Sequence, residues 1–92
     1  QVQSVFVEDV ILDSRLLEGK TFIMDGTFLH ITSGTGIMTK NYIETDANIT
    51  VRYDNASRAD RKILLNCGGY GCYITAEGTL KKGTFYLRRI IQ

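Results

Sequence analysis

The stretch that most constrains the fold covers residues 57–80, S-R-A-D-R-K-I-L-L-N-C-G-G-Y-G-C-Y-I-T-A-E-G-T-L. It reads as one short helix over 57–67, a glycine-rich corner closed by two cysteines, and then a strand. Ser57 offers a hydroxyl to an orphan amide, and Asp60 puts a carboxylate in the first turn, an acidic variant of the capping box. Ala59, Ile63 and Cys67 recur every four residues, and Leu64 widens that stripe toward a core. Arg58, Arg61 and Lys62 are left to solvent, and Gly68 is a suitable terminator. A helix of about ten residues is marginal in water, so this one must gain its stability by capping a larger body.

The flanking segments alternate with period two. Over residues 20–32, Phe22, Met24, Gly26 and Phe28 share one parity against Thr21, Asp25 and Thr27. Gly26 sits where a long first strand must bend, and Leu29 and Ile31 on the opposite parity imply a register slip there. After a turn at residues 33–36, residues 37–43 form a weaker second strand that ends in the corner Glu44-Thr45-Asp46. Residues 47–54 are a clean third strand, with Ile49, Val51 and Tyr53 facing one way and Thr50, Arg52 and Asp54 the other. Beyond the helix, residues 72–82 set Ile74, Ala76, Gly78 and Leu80 against Tyr73, Thr75, Glu77 and Thr79. Lys81-Lys82-Gly83 is a hairpin turn into residues 84–91, where Phe85, Leu87 and Ile91 alternate with Tyr86, Arg88 and Ile90. Residues 1–18 are ambiguous: Val2, Phe6, Val7, Val10, Ile11 and Leu17 make a helical stripe with Ser4 as cap, yet Val-Phe-Val suits a strand. A short helical turn near residues 8–12 that plugs one end of a barrel is the expectation.

Three strands, a helix and a two-strand hairpin make the pattern of the OB-fold, an all-β, five-stranded Greek-key barrel with a helix between its third and fourth strands. The opening G-K-T-F-I-M-D-G-T-F, the helix R-x-x-R-K-I-L-L-N-C and the strand C-Y-I-T-A-E-G-T-L resemble small bacterial OB-fold domains of the tRNA-anticodon-binding-like group. The resemblance covers residues 18–92. It rests on bend glycines and core alternation, which carry fold rather than function.

Composition narrows the rest. The 92 residues make a single domain with no internal repeat or linker. Nine Gly, no Pro, five Tyr and four Phe suit tight corners in a β-rich chain. The net charge of +1 supplies no overall field for polyanions, which weighs against a non-specific nucleic-acid binder. No apolar run approaches the roughly 20 residues that span a bilayer, so membrane insertion of this segment is not expected. No signal-peptide pattern is present, and the start at Gln1 without Met suggests a processed or truncated product.

Cys67 and Cys72 enclose Gly-Gly-Tyr-Gly. A disulfide pinning helix to strand is the favoured reading and implies an oxidising location, periplasmic or secreted, with cytoplasmic as the alternative. Two buried thiols are the alternative. A zinc site is the weakest, because only His30 is left to join the pair. Catalysis has little support: His30 lacks a nucleophile motif, and Asp9, Asp13, Asp25, Glu44 and Asp46 are scattered and read as solvated. Neither Gly-Gly-Tyr-Gly nor Gly19-Lys20-Thr21 has the context of a phosphate loop, and nothing calls for a cofactor or a metal.

Binding is what remains. In the OB architecture a ligand lies across strands two and three, between the loops that join strands one to two and four to five. Those surfaces hold Lys40 and Tyr42 on strand two, Arg52 on strand three, Lys81 and Lys82 in the last loop, and Tyr86 and Arg88 after it. Rings for stacking and cations for phosphate suit single-stranded nucleic acid, and the same mix serves an oligosaccharide or a protein partner. The plain alternative is that the tyrosines are cross-strand sheet residues and the cations only solubilise. Two classes stay open: a module for single-stranded nucleic acid or oligosaccharide, and an exported structural or protein-interaction domain that binds a protein partner or forms a homo-oligomer.

Overall fold

The period-two alternation closes into one sheet. The computed structural model describes residues 3–31, 35–41, 43, 46–67 and 71–91. The chain passes through β1 (Ser4–Phe6), α1 (Val7–Leu12), α2 (Ser14–Leu17), β2 (Thr21–Ile31), β3 (Thr35–Thr39), β4 (Asn48–Arg52), α3 (Arg58–Leu65), β5 (Cys72–Lys81) and β6 (Thr84–Ile90). β2 pairs antiparallel with β3, and β3 with β4. β4 runs parallel to β6, β6 antiparallel to β5, and β5 returns to β2. These five strands form the closed barrel of the OB-fold, with α3 between its third and fourth strands. β1 is an addition, parallel to the first half of β2 through Ser4, Val5 and Phe6.

The bend in the long strand explains which side chains are inside. Pairing of β2 with β5 slips between Met24 and Thr27, where the sequence places its bend glycine. An extra residue reverses the parity that follows. Phe22 and Met24 therefore point inward before the slip and Leu29 after it, while Phe28 turns to the outer side and packs on Tyr73. Inside, Phe22 and Phe85 meet with ring centroids 5.4 Å apart, surrounded by Met38, Val51, Leu80 and Leu87, all fully buried. Rings tilted at 46° avoid the unfavourable face-to-face stack.

The helix keeps its cap but not its expected face. Ser57 Oγ accepts the Asp60 backbone N–H at 3.1 Å. The Asp60 carboxylate does not reach back to the cap; it accepts the backbone N–H of Ile90 at the end of β6, 3.1 Å away. That tie rotates α3 so that Leu64 enters the core while Ile63 is half exposed and Ala59 is exposed. The helix ends at Leu65 with Asn66 as its cap; Gly68, the expected terminator, lies outside the described residues. Cys67 and Cys72 are joined by a disulfide with Cα atoms 5.2 Å apart, which ties the end of α3 to the start of β5.

Five further expectations are corrected. The second strand ends at Thr39 rather than residue 43, because Thr39 donates its hydroxyl to the Asn41 carbonyl and the Asn41 side chain accepts the Ile43 N–H. Such local side-chain bonds compete with ladder bonds and stop the strand. Ser4 lies in β1 instead of capping a helix, and Phe6 is exposed because Val5, its neighbour in the strand, takes the inward parity. Ile91 falls beyond β6 and is more than a third exposed, because the pairing of β5 with β6 slips between Glu77 and Gly78 and the Arg89–Glu77 ion pair occupies that end. Asp25 is half-buried and accepts a bond from the Thr75 hydroxyl at 3.1 Å, so it is not simply solvated.

Candidate functional site

The outer surface of β4, β6 and β5 collects basic and aromatic side chains, most of them placed by strand register. Phe85 and Leu87 point into the barrel, so Thr84 and Tyr86 point out, while Arg88 is the extra residue of the slip between Leu87 and Arg89 and is exposed. Parallel pairing sets Arg52 of β4 beside Tyr86, and antiparallel pairing sets Thr79 of β5 on the other side of Tyr86 and Lys81 beside Thr84. Neighbouring strands are about 4.8 Å apart, and alternate residues along one strand are about 6.6 Å apart. Arg52, Tyr86, Arg88 and Lys81 thus fall within the reach of one short ligand. On this face runs an open groove of about 450 Å³ lined by Asn55, Thr79, Lys81, Tyr86 and Arg88.

The cations on this face differ in how far they are engaged. Arg52 donates to Asp54 at 3.1 Å, and both side chains are about half exposed. That hydrogen bond, with the attraction of the two charges, raises Arg52 above its ordinary value. It also holds the Asp54 carboxyl below the usual carboxylate range, helped by a backbone bond within Asp54 itself. Arg88 and Lys81 make no ion pair among the described residues. The rim is short. Lys82 and Gly83 both have positive φ, 51° and 78°, the signature of a two-residue hairpin turn. The Glu18 carboxylate accepts the Lys82 backbone N–H at 2.8 Å and 3.0 Å, which fixes the turn and leaves the Lys82 side chain in solvent.

Two of the residues selected from sequence are not brought to this face. Lys40 turns to the α1 side, pairs with Glu8 at 3.4 Å, and lines a separate groove of about 360 Å³ with Val7, Ile11 and Ile43. It was placed by position on a second strand running to residue 43, and β3 ends one residue before it. Tyr42 lies outside the described residues. Sequence reasoning passed over Asn55 and Thr79, which no local motif distinguishes from ordinary turn and strand residues. It also passed over a second outer cluster: Phe28 packs edge-on against His30 at 4.6 Å and Tyr73 at 4.8 Å. His30 is half-buried and hydrogen-bonded to Thr39 at 3.1 Å rather than a free surface residue. The register slip implied by Gly26 was the available signal, because it turns Phe28 outward. Among the described residues no group of three or more His, Cys, Asp or Glu is placed to hold a metal ion.

No family model matches the chain, and no curated protein does. Among solved structures the chain is similar to the telomere capping protein Ten1 from Saccharomyces pombe, with a TM-score of 0.57 and 13% sequence identity. The superposition covers 98% of this chain and 79% of that one. At that identity the likeness speaks for the fold, and the fold it supports is the five-stranded OB barrel traced above.

Proposed function

We propose that this chain is a non-catalytic module that binds single-stranded nucleic acid across the outer face of β4, β6 and β5. The observation that carries the reading is the register that sets Arg52, Tyr86 and Lys81 on adjacent strands of an OB barrel, with Arg88 lining the same groove as Tyr86 and Lys81. Tyr86 offers a ring on which a base stacks, and the three cations track the phosphates on either side. Three cations against the one carboxylate of Asp54 favour a polyanion over a neutral oligosaccharide. The similarity to a telomere capping protein is in keeping with this assignment. With about three phosphates neutralised, the logarithm of affinity should fall with the logarithm of salt at a slope of roughly −2. Fluorescence anisotropy with a labelled oligothymidylate at low salt tests it. Tyr86→Ala should weaken binding by about 1–3 kcal/mol. Arg88→Ala should flatten the salt slope, while both variants melt like the wild type. Undetectable binding at low salt, or variants that bind as the parent does, would end this reading.

The disulfide favours a second reading, an exported interaction domain in an oxidising compartment, periplasmic or extracellular. Thiol labelling of protein taken from its native compartment separates the two. Blocked cysteines favour export, and two reactive thiols argue against it.

A further inference from the structure

We infer that the free edge of β1 is a docking site for an extended segment of a partner protein that carries apolar residues and a lysine or arginine. Among the described residues β1 pairs with β2 on one side and with no strand on the other. The Gln3 carbonyl accepts the Ile23 N–H at 2.8 Å. Alternation along a parallel ladder therefore turns the N–H and C=O of Ser4 and the N–H of Phe6 away from β2. Those outward groups are what an incoming strand pairs with.

The surface beside this edge is built for such an occupant. A groove of about 430 Å³ runs along it, with Phe6 59% and Leu16 71% exposed in its lining. Phe6 belongs to β1 itself and Leu16 to α2, and these large apolar side chains are anchors for alternate residues of an added strand. The charge of the lining selects the partner. Asp9, Asp13 and Lys20 line it together, two carboxylates to one ammonium. An apolar strand flanked by cations satisfies both features, and an acidic one meets repulsion. This edge lies on β1 and β2, away from the β4, β6 and β5 face, so the assignment is independent of the nucleic-acid reading.

Two acetylated hexapeptides, one alternating lysine with valine and one alternating glutamate with valine, test the assignment by NMR titration and amide exchange. The lysine peptide should bind at least about 5-fold tighter, in line with one or two favourable charge contacts. It should also slow exchange of the Ser4 and Phe6 amides. Asp13→Asn should narrow the gap between the peptides; Asp13 makes no side-chain cap bond to α2, so its fold should be unchanged. Ser4→Pro, which deletes an outward N–H, should weaken the lysine peptide several-fold, the effect of one backbone hydrogen bond. Oligothymidylate binding should be unaffected in both variants. Equal affinity for the two peptides, protection at other strands, or concentration-dependent pairing of β1 with β1 of a second copy would overturn the assignment.

Discussion

Replacing Gly78 with alanine should loosen the barrel and disturb the candidate site together. Gly78 faces Leu87 across the slip between β5 and β6. A methyl group built on it overlaps the carbonyl oxygen of Tyr86 and stands 2.6 Å and 2.8 Å from two ring carbons of Phe85. One obstacle is backbone and the other is a fully buried ring, so neither moves without shifting β6. Overpacking of this kind costs about 1–3 kcal/mol, and the backbone contact argues for the upper half of that range. A domain of this length is stable by about 5–14 kcal/mol, so the loss is substantial. Each kcal/mol lowers the melting temperature by about 4–8 °C at this size, which gives a drop of roughly 10–20 °C. Gly83→Ala is the control: nothing lies within 4 Å of its added methyl, but its φ of +78° costs an L-residue about 1–2 kcal/mol. Circular-dichroism melts with urea titrations read both. If Gly78→Ala melts with the wild type, or loses less than Gly83→Ala, the close approach of β6 to β5 is not as described.

Three further outcomes follow from the geometry. Asp60→Ala should cost about 1–3 kcal/mol in urea unfolding, because the Ile90 N–H loses its acceptor, and the amide of Ile90 should exchange faster. An unchanged Ile90 amide would refute the tie. The folded Asp54 carboxyl sits below its unfolded value near 3.9, so its pairing with Arg52 favours the folded state above that pH. That preference disappears as the pH falls through the folded value; Arg52→Ala should raise the Asp54 midpoint in a carbon-13 NMR titration, and an unmoved midpoint would contradict the pair. Replacing Cys67 and Cys72 with serine should lower stability by about 2 kcal/mol for so small a ring. A reductant should reproduce that loss in the parent and have no effect on the variant.

Much of the barrel was legible because its alternation is enforced by burial on one face only. Phe85 and Leu87 on β6, and Ile74, Ala76 and Leu80 on β5, could occupy no other side without exposing the core. The helix was legible as a helix through Ser57, but not its orientation. Ile63 and Leu64 are equivalent as apolar residues, and the choice between them was made by Asp60 bonding a strand 30 positions away. Long-range polar ties of that kind leave no local period. β1 was hidden for a related reason: three residues of Ser-Val-Phe carry too little pattern to separate a strand from a helical turn. At the candidate site, Arg52 and Tyr86 were both selected from sequence, yet their adjacency depends on the parallel pairing of β4 with β6. That pairing is a property of barrel closure, not of either strand. Lys40 was misplaced because a strand end is decided by local side-chain bonds such as that of Thr39.

The most direct test is an NMR titration of the isotope-labelled chain with oligothymidylate at low salt. Shifts concentrated on Arg52, Thr79, Lys81, Tyr86 and Arg88, and fading as salt is raised, are the expected result. Shifts gathered instead around Phe28, His30 and Tyr73, or none at all, would contradict a ligand face on β4, β6 and β5.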